Sequence, residues 1–226
     1  LEREPLKLLA PTPLTPPAHF IEGLASLGVT LDRAQTALMG DFLARLLAMN
    51  EQMNLTAITS PDEAWTRHAL DALSLVPELA FVRSGGKLID VGSGGGVPGI
   101  PLAIARPDLE ISLVEATQKK AAFLIAVSAA LGLGNVRVYA ERAEELVTSQ
   151  LAGTFDAVTA RALAKMQALL PWTGPFARRG GKLLFIKGQR ADEEMRDAKK
   201  AIRRFRCVHE RTVQTSTGRV VVFRID

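Results

Sequence analysis

The chain has a single cysteine, Cys207, so neither an intrachain disulfide nor a cysteine metal cluster is open to it. Histidine is almost as scarce. His19, His68 and His209 are scattered without metal-ligand spacing, and no metal site is expected. Aromatic residues make up only 5% of the chain, which favours reading Trp65 and Trp172 as core residues over base-stacking platforms. No apolar run approaches the roughly 18 residues that a membrane span needs. The first residues carry no basic-then-apolar leader, and the expected location is the cytoplasm. A large excess of one charge is missing too. A net charge of +4 is too mild to separate a nucleic-acid binder from an ordinary enzyme. The late run Lys199, Lys200, Arg203, Arg204 and Arg206 reads as a solvated helix face, and no association stripe argues against a monomer.

What is present divides into three parts. Residues 1–17, with Pro5, Pro11, Pro13, Pro16 and Pro17, form a lead-in that is disordered or ordered on contact. Residues 18–83 are helical in pattern: Leu38, Phe42, Leu46 and Met49 make one apolar stripe. A second helix should start at Ser60, with Pro61 in its first turn and Glu63 completing a capping box. From residue 84 to 226 short apolar runs (87–91, 110–115, 135–140, 155–160, 181–186) alternate with helical stretches (98–106, 117–132, 142–151, 163–178). That rhythm calls for a parallel sheet covered on both faces. After a charged helix at 191–204, "CVHERTV" and "RVVVFRI" are joined by so short a turn that they must pair antiparallel. The expected fold is α/β: a Rossmann-like, seven-stranded, mostly parallel sheet with an antiparallel terminal strand and an N-terminal helical extension.

The stretch "LIDVGSGGGVPGIPLA" (88–103) sets glycines directly after the first strand, at the sheet edge where open α/β folds bind ligands. Gly94, Gly96 and Gly99 match the dinucleotide pattern G-x-G-x-x-G, but the glycine at the strand end is Gly92, and counting from it puts Val97 where the third glycine belongs. Pro98 should begin the next helix, with its first amides facing the ligand. Asp90 would repel a pyrophosphate and suits a cationic group, while Glu115, ending the second strand, suits a ribose diol. A ligand with a ribose, a cation and no phosphate meets both demands: S-adenosylmethionine.

With these residues in view the chain resembles the class I S-adenosylmethionine-dependent methyltransferases. More narrowly it resembles the glucose-inhibited division protein B family, guanine-N7 methyltransferases of bacterial small-subunit ribosomal RNA. The likeness covers roughly residues 40–226 and rests on "NLTAI" (54–58), "RHALDAL" (67–73), "DVGSGGGVPGIPLAI" (90–104), "EATQKKAAFL" (115–124), "RAEEL" (142–146), "FDAVTARALA" (155–164), "KGQ" (187–189) and "GRVVVFR" (218–224). It departs from relatives in its "SGGG" loop and in the glutamate that leads "EATQKK". The resemblance implies that Gly92, Gly94, Gly96 and Val97 form the cofactor loop, that Glu115, Ala116 and Thr117 meet the ribose, and that Ala143 and Glu144 border the adenine. Arg161 would face both cofactor and target.

The fourth strand is not followed by the Asn/Asp-Pro-Pro-aromatic motif of exocyclic-amine methyltransferases; "TARALAK" stands there instead. Cys207, in a late strand, is poorly placed as a nucleophile for pyrimidine carbons. N7 of guanine has a free in-plane lone pair and no proton to lose, so it needs only positioning behind the methyl group. Arg161 and Lys187 are the candidate catalytic residues, and Arg67, His68, Lys187 and Arg190 the candidate RNA contacts. Lys187 would reach a phosphate or guanine O6, and Arg67 and His68 would serve RNA contact or domain docking, with Arg161, Lys187, Arg190 and Arg67 forming a basic rim. Asn54 is read as fixing a loop through its side chain. Two other readings fit a similar sheet. A nicotinamide-dependent oxidoreductase is opposed by Asp90 and the terminal hairpin, and a non-catalytic RNA-binding assembly factor by the intact loop and Glu115.

Overall fold

The structure, a computed structural model, describes residues 6–226; Pro5 and the rest of residues 1–5 of the expected lead-in lie outside the described residues. Helix α1 (Ala18–Leu27) stops where Gly28 turns left-handed. Helix α2 (Arg33–Met53) opens with a capping box. Gln35 N donates to Asp32 Oδ1 at 2.8 Å and Asp32 N to Gln35 Oε1 at 2.9 Å. Of its apolar stripe Phe42, Leu46 and Met49 are buried, whereas Leu38 is only partly covered. The capping box expected at Ser60 does not form. Ser60 precedes α3 (Pro61–Ala64), with Pro61 at its first position, but its side chain makes no cap bond. Helix α3 continues through a π-helical turn (Trp65–Leu70) into α4 (Asp71–Leu73). Such widened turns recur at functional sites, and this one carries Arg67 and His68.

Beyond it the chain alternates: β1 (Lys87–Val91), α5 (Gly99–Ala105), β2 (Glu110–Val114), α6 (Gln118–Ala130), β3 (Val136–Tyr139), α7 (Ala143–Leu146), β4 (Phe155–Arg161), α8 (Met166–Thr173), β5 (Ala177–Lys187), α9 (Ala191–Asp197), α10 (Lys199–Arg204), β6 (Cys207–Gln214) and β7 (Arg219–Ile225). The seven strands lie in the order β3-β2-β1-β4-β5-β7-β6, with β7 alone reversed. Several helices are shorter than the sequence pattern suggests. Only one turn of the 142–151 stretch is helical, and the 163–178 helix stops at Thr173 so that β5 can begin at Ala177. The early part of β5 is absorbed by a bulge, where the pairing jumps from Phe155↔Ala177 to Ala157↔Lys182 around the left-handed Gly180. The charged stretch 191–204 is two helices meeting at Ala198.

Strand alternation builds the core on both faces. In β7, Val220 and Val222 pack with α1, α2 and α6, while Val221 and Phe223 face the side of α8. Trp65 is buried against Phe20 with ring centroids 4.5 Å apart, which makes it a core residue; Trp172 is half-buried. No helix among the described residues is long and apolar enough to cross a membrane. The sheet reverses direction of growth between β1 and β4, so the loops after β1, β2 and β4 open at one edge.

The lead-in is seated on α2. Leu14 N donates to Gly40 O at 3.1 Å, and a Cβ on Gly40 would collide with the Leu14 carbonyl oxygen. Alanine normally stabilises a helix interior by about 1 kcal/mol over glycine. Here Gly40→Ala should instead destabilise by about 1–3 kcal/mol, the usual cost of overpacking. Urea unfolding checks this, and a gain in stability would mean that the lead-in does not hold that position.

Candidate active site

At the switch point the loop 92–98 folds back on β2. Gly92 N and Ser93 N both donate to Val114 O, at 2.9 and 3.0 Å. Gly92 and Gly96 take φ of +73° and +90°, a left-handed backbone that side chains resist. Glu115 then ties the loop: its Oε2 accepts from Gly94 N at 2.9 Å and its Oε1 from Thr117 N at 2.7 Å. Each carboxylate oxygen keeps a second lone pair, and Glu115 lines a cavity of about 360 Å³ together with Gly92, Gly94 and Val97. Gly96 shapes the loop from behind, where a side chain would meet Ile100 and Leu124.

Asp90 occupies a different place from the one expected. It is 1% exposed and lies under the loop, with Oδ1 accepting from Thr159 Oγ1 at 2.9 Å and Oδ2 from Gly99 N at 3.3 Å. Gly99 N is therefore spent on Asp90 and Ile100 N on Gly96 O, so the first amides of α5 do not face a ligand. Burial pushes the Asp90 carboxyl up to about 6, against the pull of its hydrogen bonds and of Arg161.

Arg161, the last residue of β4, carries a largely buried guanidinium. It donates to the carbonyl of Arg67 and, at 2.9 Å, to His68 Nδ1. Burial lowers its pKa, and the charges of Asp71 and Asp90 hold it up. His68 is 1% exposed, and burial, then Arg161, lower it to about 3, so the ring is neutral. It is a docking residue within the site and has no exposed face for RNA. On its other side Nε2 lies 2.9 Å from Thr56 Oγ1. Thr56 is held by Asn50, whose Oδ1 accepts from Thr56 N at 2.8 Å. The loop-fixing role expected of Asn54 thus belongs to Asn50, while Asn54 caps α2 in a left-handed conformation.

A second, larger cavity of about 660 Å³ adjoins the first, and Thr56, His68, Arg161 and Ala162 line both. Ala162 sits at φ +50°, a strained value for alanine, on the turn that separates them. Asp71, buried beside Arg161, faces the second cavity and accepts a hydrogen bond from the Thr217 hydroxyl; burial raises its pKa. Neither Thr56 nor Asp71 was singled out in the sequence. The signal for Asp71 is an acid one helical turn beyond His68 on an apolar face.

Of the four candidate RNA contacts, Arg67 and Arg190 are exposed, whereas His68 and Lys187 are buried. Lys187 is a buried, neutralised ammonium: Nζ lies 2.6 Å from Glu194 Oε2 and 2.8 Å from the Ala164 carbonyl. It fixes the loop after β4 and lines the second cavity with its charge already paired. Arg190 is exposed at the start of α9, outside both cavity linings. Arg67 alone of the four lines the second cavity with an exposed side chain, joined there by Lys165; Lys120 lines the first. Ala116 and Thr117 are exposed beside Glu115, and Ala143 and Glu144 lie on α7, all four outside the first cavity's lining. Among the described residues no group of His, Cys, Asp and Glu could hold a metal ion.

The model of one protein family, GidB, rRNA small subunit methyltransferase G, matches residues 35–222. The ribosomal RNA small subunit methyltransferase G of Sorangium cellulosum is 58% identical over 223 residues, 99% of this chain and 93% of that protein. Its counterpart in Caldanaerobacter subterraneus subsp. tengcongensis is 38% identical, covering 86% of this chain and 81% of the relative. Among solved structures, a Corynebacterium glutamicum protein matches with a TM-score of 0.58 and 16% identity over 92% of this chain and 96% of its own. Geranyl diphosphate C-methyltransferase from Streptomyces coelicolor, solved with S-adenosyl-L-homocysteine, matches with a TM-score of 0.55 and 14% identity over 69% of this chain and 78% of its own. At such identities the two structures share the fold.

Asp90 makes a testable demand on stability. Its carboxyl binds a proton more tightly folded than unfolded, so its favourable contribution is complete below about pH 4 and is lost as pH rises through about 6. Relative to wild type, Asp90→Asn should gain up to about 3 kcal/mol between pH 4 and pH 7. Denaturant unfolding at both pH values reads the difference; one that does not change with pH overturns the assignment.

Proposed function

The chain belongs to the GidB family, rRNA small subunit methyltransferase G, and from that premise we propose that it transfers the methyl group of S-adenosylmethionine to N7 of a guanosine in small-subunit ribosomal RNA. One observation carries the reading: two cavities, one built on the glycine loop and Glu115, the other larger, meet at Thr56, His68, Arg161 and Ala162. A donor in the first and a base in the second would face each other across that junction.

The residues present fit the methyl donor. Glu115 has lone pairs to spare for a ribose diol, and the left-handed loop glycines leave the cavity floor without side chains. Asp90, beneath the loop, supplies negative charge without contact. A dinucleotide fits poorly, since a pyrophosphate needs free amides and those of Gly92, Ser93 and Gly94 are already donating to Val114 and Glu115. The bound cofactor supplies an electrophilic methyl on a sulfonium, and the chain's part is alignment and electrostatics.

The same inventory supports an acceptor that has no proton to lose. His68 Nδ1 is occupied by Arg161, and the Lys187 ammonium is paired with Glu194. Burial pushes the Cys207 thiol up to about 12, and Cys207 lies on β6, outside both cavity linings. Methylation at N7 makes the purine cationic, and Asp71, which lines the second cavity with Glu63 and Glu194 and among the described residues is not in an ion pair as Glu194 is with Lys187, would stabilise that charge. Arg67 and Lys165 at the mouth would hold RNA phosphates. Lys187 and Glu194 line the second cavity as an ion pair and would also hold the loop after β4 in place.

Two measurements follow. Glu115→Ala should weaken binding of S-adenosylhomocysteine by roughly 1.5–3 kcal/mol, the value of hydrogen bonds to a charged group; calorimetry that finds no loss removes Glu115 from the ribose. Single-turnover methylation should be nearly flat from about pH 6.5 to 8.5, spanning the ordinary histidine range, because His68 titrates near 3. Mass spectrometry of the product should place the methyl on N7. A first-order rise in rate with pH that vanishes in His68→Ala would reveal a general base and a different target atom.

A further inference from the structure

Thr56 is connected in a way that fixes the direction of its hydroxyl. A guanidinium has no acceptor, so the contact of Arg161 Nη2 with His68 Nδ1 makes Nδ1 the acceptor and puts the ring proton on Nε2. That proton is then donated to Thr56 Oγ1 at 2.9 Å. Ile58 N donates to the same oxygen at 3.0 Å. Both lone pairs of the hydroxyl are taken, and its own hydrogen has no partner among the described residues. Thr56 is partly exposed and lines both cavities where they meet, so that hydrogen is offered to whatever lies there. Arg161, at the end of a sheet strand, thereby makes a residue of the N-terminal helical segment into an obligate donor.

The two purines differ on the edge that carries N7. Guanine presents two acceptors, N7 and O6; adenine presents N7 beside an amino donor. With N7 turned to the methyl group, the neighbouring group must lie near the junction. An obligate donor there accepts guanine and opposes adenine, whose amino hydrogens would face the hydroxyl hydrogen with no lone pair between them. We propose that Thr56 is a specificity-determining residue that donates its hydroxyl hydrogen to O6 of the target guanine. This rests on the N7 reading given above.

The test uses small ribosomal subunits reconstituted with rRNA that carries, at the modified position, either guanosine or 2-aminopurine riboside, which keeps N7 and lacks O6. Wild type should prefer guanosine by about tenfold in kcat/KM, the scale of one hydrogen bond with its desolvation. Thr56→Val should lose that preference, and Thr56→Ser should keep it. Valine also strips an acceptor from His68 and Ile58, but that structural loss lowers both substrates alike and leaves their ratio unchanged. Affinity for S-adenosylhomocysteine, read by calorimetry, should fall by less than the rate on guanosine, since Thr56 only borders the cofactor cavity. A preference that survives in Thr56→Val, or a loss of cofactor affinity equal to the loss of rate, overturns the proposal. If the valine variant does not fold, wild type and Thr56→Ser decide it: equal rates on the two substrates overturn it. A product methylated away from N7 overturns the parent reading and this one together, whereas N7 product without a guanosine preference overturns this one alone.

Discussion

A buried guanidinium needs acceptors, and Arg161 finds them in a segment almost a hundred residues earlier in the chain: the Arg67 carbonyl and His68 Nδ1. Removing a charge of this kind from water costs several kcal/mol, which only well-placed partners offset. The requirement locks the π-helical turn onto the end of β4 and keeps His68 in a single tautomer. Through His68 it reaches Thr56, and through the charges of Asp71 and Asp90 it reaches the floor of both cavities. The site is therefore assembled from the helical segment and the sheet together.

The cofactor loop is organised on the same principle of satisfied polar groups. The amides of Gly92, Ser93, Gly94 and Gly96 are committed to Val114, Glu115 and Ser93 before any ligand arrives, which holds the loop in shape. What it offers a ligand is negative charge and spare carboxylate lone pairs. That balance favours a cation with a ribose and disfavours a pyrophosphate. Asp90 is ionised there at a cost in stability, a strain commonly held at functional sites.

Much of this was legible before any fold was known. Strand alternation, the glycines after β1, Glu115 at the end of β2 and Arg161 at the end of β4 all follow from period and position along one strand. The reversed β7 follows from the short turn before it. Element ends were less legible: β5 begins early because a bulge around Gly180 lets it, and a bulge leaves little trace in hydrophobic period.

The roles of individual cations and acids were not legible, because each depends on a partner distant in sequence. Lys187 and Arg67 are equally basic in the sequence, yet Lys187 is buried against Glu194 at 2.6 Å while Arg67, with Glu63 4.0 Å away, remains exposed. Asp90 was recognisable as the acid of the site, but its burial under the loop depends on Thr159 and Gly99 packing over it. Thr56 in "NLTAI" is an unremarked hydroxyl until Arg161, by donating to His68, decides which way its hydrogen points. By itself the sequence determined the elements, the loop and the chemistry its residues can support, since these are local. Which charges are free, which are paired and which hydroxyl is a donor was decided only by tertiary structure, since burial and hydrogen-bond direction are properties of pairs brought together by the fold.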